Sequence, residues 1–245
     1  MSRKSIVFLL VILVGAWSLP ASAQQDARVL MRALAQRYAG KKNLSFSVVY
    51  RYSKERAPGT YLDSLRGSFE ISGDRYKYLI DSTEFLGTKD LSVILFKADR
   101  LIYLAKPSAN VRSNNPLAML DSLLWKKDSV ESRVEDDGDR QKLILEFRPA
   151  GPVKRVEYQI DKRSGLVTRV INSIDSRQLY EASIRSQVQG AITYVIVEAD
   201  IRDYKENAFP DDELDPGKYV KKTNGGYIAQ APYDSYKIFL ATPDL

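Results

Sequence analysis

The 245-residue chain has no cysteine and no histidine. Those two absences exclude a Ser-His-Asp triad, a thiol nucleophile, a His or Cys zinc site and an axial histidine for haem. Carboxylate, lysine or tyrosine chemistry stays open, but no two acids stand out as the pair that glycoside cleavage requires. With 13 Gly and 10 Pro, the chain is neither collagen-like nor of low complexity. A membrane-spanning run is missing as well. The apolar stretch from Ile6 to Trp17, relaxed by Gly15 and Ala16, falls short of the ~20 residues a bilayer core needs. The expectation is a non-enzymatic protein with no cofactor and no metal.

What is present begins with an export signal. Arg3 and Lys4 precede the apolar stretch, and Ala21-Ser22-Ala23 follows it as a small-x-small cleavage site. Residues 1–23 therefore read as a cleavable signal peptide, with a soluble periplasmic product starting at Gln24. The formal net charge of +6 falls by two when Arg3 and Lys4 are removed, which leaves a weak basic bias. Export makes nucleic acid an unsuitable partner and brings anionic lipid head groups within reach.

The remaining chain alternates more than it coils. Asp26 to Ala39 has a helical apolar period (Leu30, Ala33, Leu34, Tyr38), with Asp26 as N-cap and Gly40 as stop. From Asn43 the period is two. Phe46, Val48, Tyr50 and Tyr52 share one side of a strand; a second strand ends in Phe69 and Ile71; Ser72-Gly73-Asp74 turns into Tyr76, Tyr78 and Ile80. Leu91 to Lys97 and Leu101 to Ala105 follow as short strands. The alternation then breaks. Asn115-Pro116 caps a helix running to Lys127 whose Leu117, Leu120, Leu123 and Leu124 share one arc. Strands resume at Ser129–Asp136, Gln141–Arg148, Val153–Asp161, Leu166–Ser173, Arg177–Val188 and Ala191–Tyr204, with Asp137-Gly138, Ser164-Gly165 and Gln189-Gly190 in the turns. The tail from Lys205 is turn-rich and regains strand character near Tyr233 to Leu240. The pattern predicts a mainly β, α+β single domain over 24–245, built as an antiparallel meander with an extended tail over about 205–245.

A helix, a meander, a helix inserted mid-sheet and further strands behind a signal peptide resemble the LolA/LolB-like lipoprotein-carrier family. The stretch Ser92 to Leu120 carries most of the likeness: a strand, a turn at Asp99, Leu101-Ile102-Tyr103, Lys106-Pro107, then Asn115-Pro116-Leu117-Ala118-Met119-Leu120. Val156-Glu157-Tyr158-Gln159-Ile160-Asp161 with Gly165-Leu166-Val167 is similar to the family's later hairpin. The resemblance implies a strongly curved antiparallel sheet forming an incomplete barrel, with the N-terminal and inserted helices closing its open side. It also implies an apolar cavity for acyl chains, an acylated lipoprotein or lipid as cargo, an inner- or outer-membrane protein as a second partner, and a monomer. One departure stands out. Carriers of the family have an Arg-Pro pair where this chain has Gly73-Asp74-Arg75-Tyr76, which leaves open whether Arg75 replaces the missing arginine.

The candidate ligand-binding set follows from these readings. The sheet supplies Phe46, Val48, Tyr50, Phe69 and Ile71, then Tyr76, Tyr78 and Ile80. Tyr103, Tyr158 and Ile160 come from the family-like stretches. Leu117, Leu120, Leu123 and Leu124 would face the cavity as a lid. The chain has 15 Tyr against 8 Phe, and amphipathic rings suit either a cavity wall or a half-exposed strand. Glu135-Asp136-Asp137-Gly138-Asp139 lacks the spacing of a calcium loop and reads as a hairpin tip, and Asp211-Asp212-Glu213-Leu214-Asp215 as a solvated loop. Asp63-Ser64-Leu65, Asp121-Ser122-Leu123 and Asp128-Ser129-Val130 resemble Asp-Ser-aliphatic sites of periplasmic O-glycosylation, and equally suit turns and caps. A module of the same fold that recognises a protein partner is the alternative to a carrier.

Overall fold

A computed structural model of the protein describes residues 20–107, 130–179, 193–207, 209–210, 212–242 and 245. A helix, α1 (Pro20–Ala39), is followed by β1 (Asn43–Lys54), β2 (Tyr61–Ser72), β3 (Arg75–Ile80), β4 (Thr83–Gly87), β5 (Ser92–Phe96) and β6 (Leu101–Ala105). The second run is β7 (Val130–Asp137), β8 (Arg140–Phe147), β9 (Val153–Asp161), β10 (Val167–Asp175) and β11 (Tyr194–Lys205). The C-terminal part adds β12 (Val220–Thr223), β13 (Gly226–Ala229) and β14 (Lys237–Leu240). Twelve strands form one sheet in the order β14-β6-β5-β4-β3-β2-β1-β11-β10-β9-β8-β7, and β12 and β13 pair separately. The large sheet ends in two edges, β14 and β7, so it is an open sheet and not a closed barrel. Among the described residues, no helix is long and apolar enough to cross a membrane.

Residues paired across strands point to the same side, so each face can be followed strand by strand. One row runs Leu143, Tyr158, Val170, Ala199, Tyr50 across β8, β9, β10, β11 and β1. A second row on that same face runs Phe46, Phe69, Tyr78, Phe85, Ile94, Tyr103, Phe239 across β1 to β6 and on to β14. We call this the aromatic face. Over β8 to β10 it is covered by α1, whose Ala27, Met31 and Leu34 pack on Leu143, Leu145, Val156, Ile160 and Val167. Over β4 to β6 the cover lies on the other side. There Leu86, Val93, Leu95, Ile102 and Leu104 form a core with Leu214, Tyr219 and Val220 of the C-terminal part. The opposite face of β1 and β9 to β11 carries charge instead: Arg155 pairs with Glu157, Arg169 with Glu198 and Arg51 with Asp200.

The mainly β fold expected from the alternation is the one observed. Several details differ. The helix expected from Asp26 starts at Pro20, whose missing N–H costs nothing in a first turn, and it runs through Ala21-Ser22-Ala23. Thr83–Gly87 is a strand that the alternation does not flag, because Glu84 holds a buried position more often apolar. The meander is not wholly antiparallel, since β14 runs parallel to β6. Of the expected strand Arg177–Val188, Arg177 to Leu179 lie in a 3-10 turn and the rest lies outside the described residues. The inserted helix Pro116 to Lys127 also lies outside them, with its Leu117, Leu120, Leu123 and Leu124. The tail is no solvated appendage. Leu214 and Tyr219 are 1% and 2% exposed, and β12 and β13 form a hairpin that the sequence reading does not include.

Candidate ligand-binding site

The site is built where the two halves of the sheet meet. At the end of α1, Gly40 closes the last turn by donating to Gln36. Arg37 Nε and Nη2 donate to the Ser164 carbonyl at 2.9 and 2.6 Å, which ties the helix end to the β9–β10 turn. That turn needs a residue in the left-handed region, and Gly165 supplies it with φ 67°. Tyr38 is thereby held over the start of β10.

Here three hydrogen bonds close a circuit. The Val167 amide donates to Tyr38 Oη (3.1 Å), Tyr38 Oη is 3.0 Å from Tyr204 Oη, and Tyr204 Oη donates to the Val167 carbonyl (2.7 Å). With Tyr204 donating to the carbonyl, Tyr38 must donate to Tyr204, so both phenol hydrogens are used within the circuit. Burial raises both phenols above their ordinary range, and for Tyr204 the neighbouring Tyr38 adds to the effect. Both stay neutral, so neither serves as a phenolate.

Tyr204 reaches this position through a bulge. Strict alternation would set it opposite to Ile201. The β1–β11 register shifts between Ser45 and Ser47, one extra residue enters β11, and Asp203 takes φ 56°. Ser47 Oγ donates to the Asp203 carboxylate and anchors the bulge. The ring of Tyr204 then lies 5.3 Å from Phe46.

Together these elements enclose a cavity of about 260 Å³. Phe46, Val48, Tyr50, Phe69 and Tyr158 of the expected set line it. Tyr38, Val167, Val170, Asn172, Ala199, Ile201 and Tyr204 line it too, and the sequence reading did not single them out. Val170, Ala199 and Ile201 were legible in principle as one side of alternating strands; Tyr204 was hidden by the bulge. Phe69 and Tyr158 stand on strands four places apart, ~19 Å in a flat sheet. That both border one small cavity reflects a sheet curved around it.

The other expected residues divide. Ile71, Tyr76, Tyr78, Ile80 and Tyr103 lie on the aromatic face beyond the cavity, half-buried. Ile160 is in the core beneath α1 and borders a separate groove beside the β9–β10 turn. Leu117, Leu120, Leu123 and Leu124 are outside the described residues.

From the cavity outward the rings form a ribbon. Phe46 stacks on Phe69 (5.0 Å between centroids), Phe69 meets Tyr78 (5.5 Å), and Tyr78 stacks on Phe85 (4.8 Å, 1° between planes). Tyr76 stacks on Phe85 and lies flat over Gly87, where a Cβ would run into its ring. At the far end Tyr103 stacks on Phe239. The described residues that form a core with β4 to β6, Leu214, Tyr219 and Val220, pack on the opposite face. The acidic run at 135–139 is a hairpin tip, with Glu135, Asp136 and Asp137 paired to Arg133, Lys162 and Lys142. Among the described residues, no group of three acids could hold a metal ion.

The open, mainly β sheet with an N-terminal helix over part of one face is the architecture that the sequence resemblance implied. No protein-family model matches the chain, and no curated protein matches its sequence. Among solved structures, it is similar to an uncharacterized conserved protein from Thermus thermophilus (9% identity, 88% of this chain and 99% of that one, TM-score 0.50). Looser matches include a LolA superfamily protein from Nitrosomonas europaea (10% identity, 78% and 98%, TM-score 0.35). Another is the lipoprotein LppX of Mycobacterium tuberculosis (10% identity, 76% and 99%, TM-score 0.42). At these identities the likeness concerns the fold alone.

Proposed function

We propose that the protein is an extracytoplasmic, non-enzymatic carrier that shelters the acyl chain of a lipid or lipoprotein against the aromatic face. The observation that supports this best is the continuity of one apolar surface. The cavity between β2 and β9 opens onto a ribbon of rings reaching β14, so an extended chain can enter the cavity and lie along the sheet. At about 260 Å³ the cavity is just under the ~300–1,000 Å³ of ordinary small-molecule sites, so it suits part of a chain and the ribbon the remainder. Complete burial of a long chain at ~0.8 kcal/mol per methylene would hold cargo too tightly for release. Partial exposure is what a carrier needs. Native mass spectrometry and lipid extraction of the exported protein test the reading: co-purifying acyl lipid supports it, and lipid-free protein that binds no acyl probe contradicts it.

A second reading, a module for a protein partner, is favoured by one observation. Strand β3 pairs with β2 from Gly67 onward and the Asp81 amide donates to the Arg66 carbonyl, so among the described residues Tyr61 to Leu65 present an unpaired backbone edge, with Leu62 62% exposed. An extended peptide could add there as a further strand. A reproducible protein partner without lipid would favour this reading.

A further inference from the structure

Not every polar group in the cavity belongs to the Tyr38–Tyr204 circuit. Tyr50, Tyr158 and Asn172 also line it, and their side chains have no hydrogen-bond partner among the described residues. The register sets them on one face. Tyr158 and Tyr50 end the row Tyr158, Val170, Ala199, Tyr50, and Asn172 lies on the same face two residues after Val170.

Phenol hydroxyls and a carboxamide donate hydrogen bonds without carrying charge. Burial pushes Tyr50 up to about 12, helped by Tyr52 and Tyr78, and raises Tyr158 as well, so both remain donors across the physiological range. Among the described residues, no lysine, arginine or acid lines the cavity. Arg51, Arg169, Glu198 and Asp200 of the same strands are on the opposite face, where Arg51 pairs with Asp200 and Arg169 with Glu198. A carboxylate or phosphate entering the cavity would lose its water and gain no counter-charge, which is costly. An ester or amide carbonyl is neutral and accepts hydrogen bonds only. It matches what the three groups offer.

We propose that Tyr50, Tyr158 and Asn172 select a neutral acyl ester or amide over a free fatty acid, by donating to its carbonyl within the cavity. This rests on the acyl-carrier reading and names its ligand class. Titration calorimetry with monolaurin and with laurate, at mildly alkaline pH and below micelle formation, tests it. Monolaurin is expected to bind at least about tenfold more tightly, the equivalent of ~1.4 kcal/mol. Laurate affinity is expected to rise as the pH falls towards the ~4.3 of an ordinary carboxyl and the acid becomes neutral. Tyr50→Phe with Tyr158→Phe, which keeps the rings and removes only the hydroxyls, should erase most of the preference for monolaurin over laurate, with a pyrene hydrocarbon probe reporting on the cavity alongside. Equal affinity for the two ligands, or a preference unchanged in the double variant, overturns the proposal and leaves the carrier reading standing. Binding of neither ligand, nor of the hydrocarbon probe, overturns both.

Discussion

The two halves of the large sheet use the same alternation and bury opposite faces. On β8 to β10 the aromatic face is the core, closed by α1, while the other face is a lattice of ion pairs. On β4 to β6 the other face is the core, closed by Leu214, Tyr219 and Val220, and the aromatic face is left half-buried. The difference explains why a groove exists. If one face were covered along all twelve strands, the ribbon from Phe69 to Tyr103 would be ordinary core. Among the described residues the cover changes sides near β1 and β2, and the cavity forms at the change.

Removing the C-terminal cover is expected to have the largest effect. A chain ending at Lys205 would expose Leu86, Val93, Leu95, Ile102 and Leu104, all 1% exposed or less. Burial of five such side chains is worth on the order of 10 kcal/mol, comparable to the stability of a whole domain. The expected result is insoluble protein, checked by expression and fractionation; a soluble, cooperatively folding truncation would break the comparison.

Single truncations in each core sharpen it. Tyr219→Ala removes a buried ring stacked on Tyr233 and a hydrogen bond to Glu84, and Leu34→Ala opens a cavity under α1. Each should cost about 3–5 kcal/mol in denaturant unfolding. Native-state hydrogen exchange should separate them. Tyr219→Ala is expected to deprotect β4 to β6 first, and Leu34→Ala β8 to β10.

Two glycines on the aromatic face give smaller, opposed effects. A Cβ at Gly67 would press on the Leu79 backbone carbonyl at 2.9 Å, whereas at Gly87 it meets the movable end of Tyr76. Gly67→Ala should cost about 1–3 kcal/mol in stability. Gly87→Ala should cost less, displace Tyr76 from the ribbon and weaken binding of an acyl probe.

The smallest effects are those of pH. Burial alone would raise the Glu84 carboxyl, but hydrogen bonds from Lys97 and Tyr219 hold it below its ordinary value; Glu213 is lowered first by its hydrogen bond from Lys77. A lowered carboxyl contributes stability above ~4.5 that is lost as the pH falls through the folded value. Acid should therefore loosen the cover of β4 to β6 first. The phenols work in reverse. Tyr50 and Tyr76, both pushed up to about 12 by burial above all, contribute fully below pH ~10 and lose that contribution as the pH rises through 12. Exchange protection followed across pH should show acid acting on the C-terminal cover, and alkali acting on the aromatic face and also on that cover, where burial raises Tyr219.

Much of this was legible in the amino-acid order. Period-two runs locate most strands, and Phe46, Val48, Tyr50, Phe69 and Tyr158 of the expected set line the cavity. Three things were not legible. Alternation identifies two faces without saying which is covered, so the role of Leu214 and Tyr219 depended on where a distant segment packs. Glu84 disguised β4, since its charge is compensated by Lys97 and Tyr219, far away in sequence. The bulge at Asp203 turned Tyr204 to the side that a regular strand would deny it.

Mapping where cargo touches the chain tests the central claim most directly. A monoacylglycerol bearing a photoreactive diazirine along its chain, cross-linked to the protein and followed by peptide mass spectrometry, reports the face it occupies. The account predicts adducts on Val170, Phe69, Tyr78 and Phe85, along the aromatic face. Adducts concentrated around Leu214 and Tyr219, or spread over the charged face of β9 to β11, would contradict it.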